Sequence, residues 1–263
     1  MSDRFAVIGK PIAHSLSPDI HQAFALQTGR SLTYEKILGD EPTFVQQVSD
    51  FFSTGGKGMN VTLPFKEQAF QMAVTASLRA TQAGAANTLW WQDNGLHADN
   101  TDGIGLVRDL TRHFSLAGKR VVILGAGGAA KGIIAALVDE KIARLTIANR
   151  SLSRLETVPS TIDKCLFSEL GADYDVVIHA TSASLLREAI VLPEDLWQSN
   201  PFCYDLSYSL QHATSFVSQA ITHHCQAIDG LGMLVEQAAE SFWLWHGIKP
   251  DTESVLAMLN QSA

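Results

Sequence analysis

The chain is poor in cysteine, in positive charge and in long apolar runs, and each scarcity excludes a class of protein. Its three cysteines, Cys165, Cys203 and Cys225, are widely spaced and odd in number. They make neither a disulfide framework nor a C-x-x-C metal pattern, which leaves reduced thiols in or near a core. Nine histidines include no H-E-x-x-H-type pair, and the adjacent His223 and His224 would point apart on a helix, so no metal site is expected. Lys and Arg number 19 against 27 Asp and Glu, a net charge of -8. That balance argues against broad nucleic-acid binding and against adhesion to anionic membranes. No apolar run is long enough to span a bilayer. Met1-Ser2-Asp3-Arg4 leads straight into a strand pattern, so no signal peptide is expected and the cytoplasm is the expected compartment. What remains is a folded soluble chain of 263 residues, 46% hydrophobic, able to bury one large core or two modest ones. Any anionic ligand must be held by local groups against the overall field.

The most informative stretch is Arg120-Val121-Val122-Ile123-Leu124-Gly125-Ala126-Gly127-Gly128-Ala129-Ala130-Lys131. A run of β-branched and aliphatic residues reads as a strand buried on both faces. It ends in glycines, and an alanine-rich helical pattern over 131–141 follows. Strand, tight turn and helix in this order aim backbone N–H groups and the positive end of the helix at a phosphate. Gly125 permits the turn, Gly127 leaves room for a pyrophosphate and Ala130 takes the close-packing place. An ordinary tight βα turn is the competing reading, and the matching flanks favour a dinucleotide site. The next strand, Arg144-Leu145-Thr146-Ile147-Ala148, ends at Asn149-Arg150-Ser151 with Arg154 close behind. A carboxylate placed there would select NAD through the ribose 2′-hydroxyl. Arginines instead suit a 2′-phosphate, so NADP is the expected cofactor.

Other segments read singly have two meanings. Ser15 and Ser17 precede a helix beginning near Pro18, where they could cap it or donate to a small carboxylate. Gly55-Gly56-Lys57-Gly58 reads as a break before a strand Met59-Asn60-Val61-Thr62-Leu63, with a helix opening at Pro64-Phe65-Lys66. Such a strand presents polar groups at its C-terminal edge, where open α/β sheets bind ligands. Lys66 taken alone reads as a surface lysine. Asn87 and Asp102 lie near opposite ends of a hairpin turned at Asp93-Asn94-Gly95, and Asp102 could simply cap the following helix. Buried runs at 175–182 and 202–206 add two strands, and helices are expected over 213–224, 233–246 and 251–259.

In order, these stretches resemble the shikimate dehydrogenase family. The matching segments are Gly9-Lys10-Pro11-Ile12-Ala13-His14-Ser15-Leu16-Ser17-Pro18, Gly58-Met59-Asn60-Val61-Thr62-Leu63-Pro64-Phe65-Lys66, Gly84-Ala85-Ala86-Asn87-Thr88 and Asp99-Asn100-Thr101-Asp102-Gly103. The glycine turn, Asn149-Arg150-Ser151 with Arg154, and Asp229-Gly230-Leu231-Gly232-Met233-Leu234-Val235-Glu236-Gln237 complete the set. The resemblance implies two α/β domains: a discontinuous substrate domain (1–102 plus 230–263) and an inserted, doubly wound Rossmann-like NADP domain (103–229). It implies NADPH-dependent reduction of 3-dehydroshikimate to shikimate, a step toward chorismate and the aromatic amino acids, by a monomer or homodimer acting on a small molecule. Lys66 and Asp102 are then the proton-transfer pair. Ser15 and Ser17 hold the substrate carboxylate with help from Tyr208 of the other domain. Asn60, Thr62, Asn87 and Gln237 serve the ring hydroxyls. The cofactor falls to Gly125, Ala126, Gly127, Gly128, Ala129, Asn149, Arg150, Ser151, Arg154, Thr181 and Gly230.

The chain departs from the family on the nicotinamide side. His179 stands where the family usually has Asn, Ser184 stands near a usual Gly, and the stretch 209–214 lacks a frequent proline. A relative acting on quinate or a similar acid, which the same motifs would serve, a non-catalytic NADP-binding sensor, which the altered loop keeps open, and, last, a structural or interaction protein stand as the alternative readings.

Overall fold

Two six-stranded sheets organise the chain in a computed structural model that describes residues 2–93, 95–156, 158–181, 183 and 189–261. Ser184 and the turn residue Asn94 fall outside the described residues. The chain divides into one unit of Met1–Gly105 with Leu234–Met258 and a second of Leu106–Met233 with Leu259–Ala263.

In the first unit the strands are β1 (Asp3–Gly9), β2 (Leu32–Leu38), β3 (Gly56–Val61), β4 (Thr75–Ala76), β5 (Thr88–Gln92) and β6 (Gly95–Asp99). They lie in the order β2-β1-β3-β5-β6-β4. β1 runs parallel to β2 and β3, whereas β5 is antiparallel to β3 and β6. The helices are α1 (Ser17–Thr28), α2 (Phe44–Ser53), α3 (Lys66–Met72) and α4 (Leu78–Ala83), joined by parts of α5 (Asp102–Thr111), α9 (Leu231–His246) and α10 (Thr252–Gln261). The period-2 alternation of β1 serves both faces. Ala6 and Ile8 pack with Phe44, Val48 and Phe51 of α2, while Phe5 stacks on Trp245 of α9 at 4.8 Å.

Of the glycine stretch expected as a break, Gly55 is a turn residue at φ +97°, whereas the residues from Gly56 on are part of β3. Gly56 and Gly58 sit in the strand because a β-carbon would run into the ring of Phe51 at one and of Trp245 at the other. The glycines let α2 and α9 approach the sheet closely, so they mark packing and not a turn. α1 likewise begins at Ser17 with no side-chain cap. Of the capping role considered for Ser15 and Ser17, Ser15 keeps a part, its Oγ accepting the Ser17 N–H at 3.3 Å, whereas Ser17 is itself the first helical residue.

His21 on α1 is fully buried and stacks on Tyr34 at 4.4 Å, with neither ring nitrogen hydrogen-bonded. Burial, reinforced by the nearby His246, lowers its pKa from 6.5 to about 3. The unfolded chain therefore binds a proton that the folded chain refuses between those two values. Stability must fall as pH drops through that window, by about 1.4 kcal/mol per pH unit from this group. His21→Phe keeps the stacked ring and should flatten the slope in urea unfolding followed from about pH 7 to about pH 5. An unchanged slope would assign the acid sensitivity elsewhere.

The second unit carries β7 (Arg120–Leu124), β8 (Arg144–Asn149), β9 (Asp163–Leu166), β10 (Val176–His179), β11 (Phe202–Asp205) and β12 (Ala227–Ile228). All are parallel, in the order β12-β11-β10-β7-β8-β9. Val121 and Ile123 enter the core on one face and Val122 and Leu124 on the other, as a strand buried on both sides requires. The helices are α6 (Gly128–Asp139), α7 (Leu152–Leu155) and α8 (Ser215–Thr222). From β7 the chain moves to β8 and β9 on one side, then returns to β10 on the other. That reversal creates a crevice at the carboxyl ends of β7 and β10, the place where doubly wound sheets take ligands. α6 starts at Gly128, earlier than the alanine pattern suggests, and α9 starts at Leu231 rather than Met233. Position 232 lies within α9 and takes glycine because a β-carbon there would strike the carboxylate of Asp109, which Tyr204 Oη holds at 2.7 Å.

Candidate active site and dinucleotide site

The hairpin of β5 and β6 pairs Thr88 with Asp99, so the two chain ends that carry Asn87 and Asp102 meet. Asn87 Nδ2 donates to Asp102 Oδ1 at 2.9 Å, and Lys66 Nζ donates to Asp102 Oδ2 at 2.6 Å. Both charged side chains are first residues of helices, Lys66 of α3 and Asp102 of α5. A carboxylate at a helix N-terminus is favoured by the helix dipole, whereas a lysine there is opposed by it. The side chains are 16% and 8% exposed. The pair is therefore largely shielded from water, with the lysine end the more accessible. Asp102 does not cap α5 with its own side chain. Its backbone N–H is taken instead by Asn100 Oδ1 at 3.1 Å.

A polar network fixes this pair. Asn87 Oδ1 accepts from Thr101 N and from Thr88 Oγ1, both at 2.9 Å, and Asn87 Nδ2 also reaches Thr101 Oγ1 and Gln237 Oε1. Asn60 Nδ2 donates to the Asn87 carbonyl, to Thr88 Oγ1 and to Ser241 Oγ, while Asn60 Oδ1 accepts from Tyr34 Oη at 2.7 Å. Burial raises the Tyr34 phenol well above its usual range, with the neighbouring Ser17 hydroxyl pulling the other way. Tyr34 is thus a neutral donor. Ser17 in turn accepts from Ser15 Oγ at 3.2 Å. Asn60, Asn87, Gln237, Lys66 and Asp102 therefore belong to one hydrogen-bonded array, and Ser15 and Ser17 form a hydroxyl pair beside its Tyr34 end. Thr62 follows β3, its methyl lying over Gly9, where any side chain would collide with it.

Sequence reasoning missed four members of this array: Tyr34, Thr88, Thr101 and Ser241. Ser241 was detectable, since it lies one helical turn beyond Gln237 on the same face of α9. Thr88 and Thr101 adjoin assigned residues. Tyr34 left no signal, because an aromatic on a strand reads as core. Tyr34→Phe leaves Asn60 Oδ1 buried without its donor, a loss of about 1–2 kcal/mol. The expected result is a lower melting temperature together with a raised KM for the polyol substrate.

Residues in the second unit build a different receptor. Gly125 has φ +115°, and a β-carbon there would come within 3.0 Å of the Ala180 carbonyl oxygen and of Thr181 Cγ2. Gly127 precedes α6 as its N-cap, with no side-chain cap, and a β-carbon at Gly127 or Gly128 would meet nothing within 4 Å. Open space above an uncapped helix start is what a diphosphate requires. β8 pairs with β7 and ends at Asn149, whose amide donates to the Ser151 carbonyl at 3.0 Å and shapes the turn. Arg150 and Arg154 are exposed beside it, and no acid occurs between 149 and 154. The residues present fit NADP. Gly230 lies elsewhere in this unit, its N–H donating to the Ser207 carbonyl at 3.0 Å, and a β-carbon there would run into the Leu206 carbonyl. Tyr208 is on the loop after β11, which is tied down on both sides of it. Ser207 N donates to Asp205, and Ser209 N donates to Asp229.

Residues 7–89 match the family model of the shikimate dehydrogenase substrate binding domain. Residues 108–201 match that of shikimate / quinate 5-dehydrogenase, and 230–257 that of the shikimate 5′-dehydrogenase C-terminal domain. A shikimate dehydrogenase (NADP(+)) from Legionella pneumophila (strain Lens) is 54% identical over 262 residues, covering 98% of this chain and 99% of that protein. The crystal structure of shikimate 5-dehydrogenase from Thermus thermophilus in complex with NADP(H) and shikimate superposes with a TM-score of 0.90 at 27% identity, over 99% of this chain and 100% of that one. A ligand-free 5-ketofructose reductase of Gluconobacter sp. strain CHM43 gives 0.84 at 28% identity, over 100% and 99% of the two chains. The two α/β units, one with a Rossmann-like parallel sheet, are the architecture that the sequence led us to expect. The chain belongs to the shikimate dehydrogenase family.

Proposed function

We propose that this protein interconverts shikimate and 3-dehydroshikimate with NADP, in the cytoplasm, on the route to the aromatic amino acids. The observation that carries the reading is the Lys66–Asp102 pair, 2.6 Å apart and fixed by Asn87 within an array of neutral donors and acceptors. A small triol acid calls for that mixture. Its hydroxyls both donate and accept, and its carboxylate needs donors such as Ser15 and Ser17. We assign the unit of Met1–Gly105 and Leu234–Met258 as the substrate domain, and Tyr208 as a further substrate-binding residue.

When bound, NADPH supplies the hydride. The chain must orient the ring and move one proton. Lys66 Nζ delivers that proton to the reacting ring oxygen and takes it back in the reverse direction, while Asp102 orients the ammonium. Asn87, Gln237 and Thr62 bind ring hydroxyls. Asn60, whose amide is spent on Tyr34, Thr88, Ser241 and the Asn87 carbonyl, supports them from behind. In the second unit the glycine turn at 125–129 and Thr181 border the diphosphate and nicotinamide, and Asn149, Arg150, Ser151 and Arg154 hold the 2′-phosphate. Gly230 serves by letting two chain segments approach.

The test is NADP reduction by the purified protein with shikimate, followed by NADPH absorbance, with quinate and NAD as parallel controls. Turnover confined to shikimate with NADP is the expected result. Comparable turnover with quinate or NAD would move the protein to a broader paralogue. NADP binding without turnover would make it a sensor.

A further inference from the structure

His179 closes β10, where its ring is 1% exposed and stacks on Phe216 of α8 at 4.9 Å. Its nitrogens bridge two loops. Nδ1 is 3.1 Å from Asp205 Oδ1 at the end of β11, and Nε2 is 2.6 Å from Thr181 Oγ1. Asp205 Oδ1 also accepts the Ser207 N–H at 3.0 Å. A carboxylate can only accept, so the Nδ1 proton belongs to the histidine, and in the neutral imidazole Nε2 is left with its lone pair. Nε2 must then accept the Thr181 hydroxyl proton. The Thr181 oxygen is free to accept in its turn, and the Ala183 N–H donates to it at 3.2 Å. The whole chain of hydrogen bonds therefore has one direction, set by Asp205.

This chain ends against the glycine turn. The space a β-carbon would need at Gly125 is filled by Thr181 Cγ2 and the Ala180 carbonyl, each at 3.0 Å. With its hydroxyl turned to His179, the Thr181 methyl is held toward Gly125.

We propose that His179 is a positioning residue for the dinucleotide: locked in the Nδ1–H tautomer by Asp205, it orients Thr181 and so fixes that side chain as one wall of the NADP site. The inference rests on our reading that Thr181 borders the cofactor. It deepens that reading by giving the residue at the family departure a defined task.

The experiment is calorimetric titration of NADP⁺ and, separately, shikimate into the full-length protein and its variants. His179→Phe keeps the stacked ring but offers no acceptor, and should weaken NADP⁺ about tenfold, the effect of losing one hydrogen bond that orders a wall. His179→Gln can present Oε1 to Thr181 and should stay within about threefold of the parent. Thr181→Val keeps the shape without the hydroxyl. It should match His179→Phe, and adding His179→Phe to Thr181→Val should cost nothing further. Shikimate affinity should be unchanged throughout.

Additive losses, or an equal loss of shikimate affinity, would overturn the proposal. If His179→Phe fails to fold, unaltered NADP⁺ affinity in Thr181→Val overturns it alone. An Arg150→Ala/Arg154→Ala variant separates the two ideas. Weakened NADP⁺ there, with Thr181→Val normal, sinks the relay only, whereas normal affinity in both sinks the cofactor placement.

Discussion

Lys66→Ala is expected to lower kcat for shikimate oxidation by about 10³-fold while changing shikimate affinity by no more than about tenfold. The first reason is position. Lys66 occupies the first turn of α3, where the helix dipole disfavours a cation, and it is held there at 2.6 Å by Asp102. A lysine serving only to cover surface gains nothing from that place. The second is neutrality of the surroundings. Every other member of the array is an amide or hydroxyl, so the pair holds the only charged groups of the array, and the lysine is the more accessible of the two.

The structural and chemical roles of the ammonium can be separated. Lys66→Arg keeps a cation facing Asp102 and should preserve the melting temperature. A guanidinium does not release a proton near neutral pH, so turnover should remain at the alanine level. Recovery of turnover in Lys66→Arg would reduce Lys66 to an electrostatic brace. Near-normal turnover in Lys66→Ala would remove it from the chemistry altogether.

How much of this was legible in the sequence depended on how far each signal reaches along the chain. The doubly wound unit was readable because its information is local: a buried strand, glycines and a helix follow one another without a gap. The glycines of β3 were misread for the same reason. Locally they are a break, and only the rings of Phe51 and Trp245, brought over them by the fold, make them strand residues. The Lys66–Asp102 pair spans 36 residues, and Asn60 meets Ser241 across 181. No periodicity reports such contacts. Resemblance supplied Lys66, Asp102, Asn87 and Gln237, and left Tyr34 and Ser241 to be found by geometry. Tyr34 was silent because its hydroxyl faces Asn60 from within an aromatic cluster, and composition cannot distinguish a polar tip from a packed ring.

Replacing both Arg150 and Arg154 with alanine should raise the KM for NADP by about 100-fold and leave that for NAD within about threefold. The chain carries a net charge of -8, so its overall field repels a nucleotide with an added phosphate. The turn after β8 must overcome that repulsion locally. It contains two exposed arginines and no carboxylate, and the Asn149 amide already folds the turn through the Ser151 carbonyl. Charge-assisted hydrogen bonds contribute about 1.5–3 kcal/mol each, and two at the low end give the stated factor. Because the side chains are exposed, the parent's preference for NADP should shrink as salt is raised, and the double variant should lose that sensitivity. Equal losses with NADP and NAD would mean that the arginines shape the turn without reading the phosphate. The selectivity would then have to come from Asn149 and Ser151; Ser151 accepts from the Asn149 amide and keeps its own hydroxyl proton to donate to the phosphate.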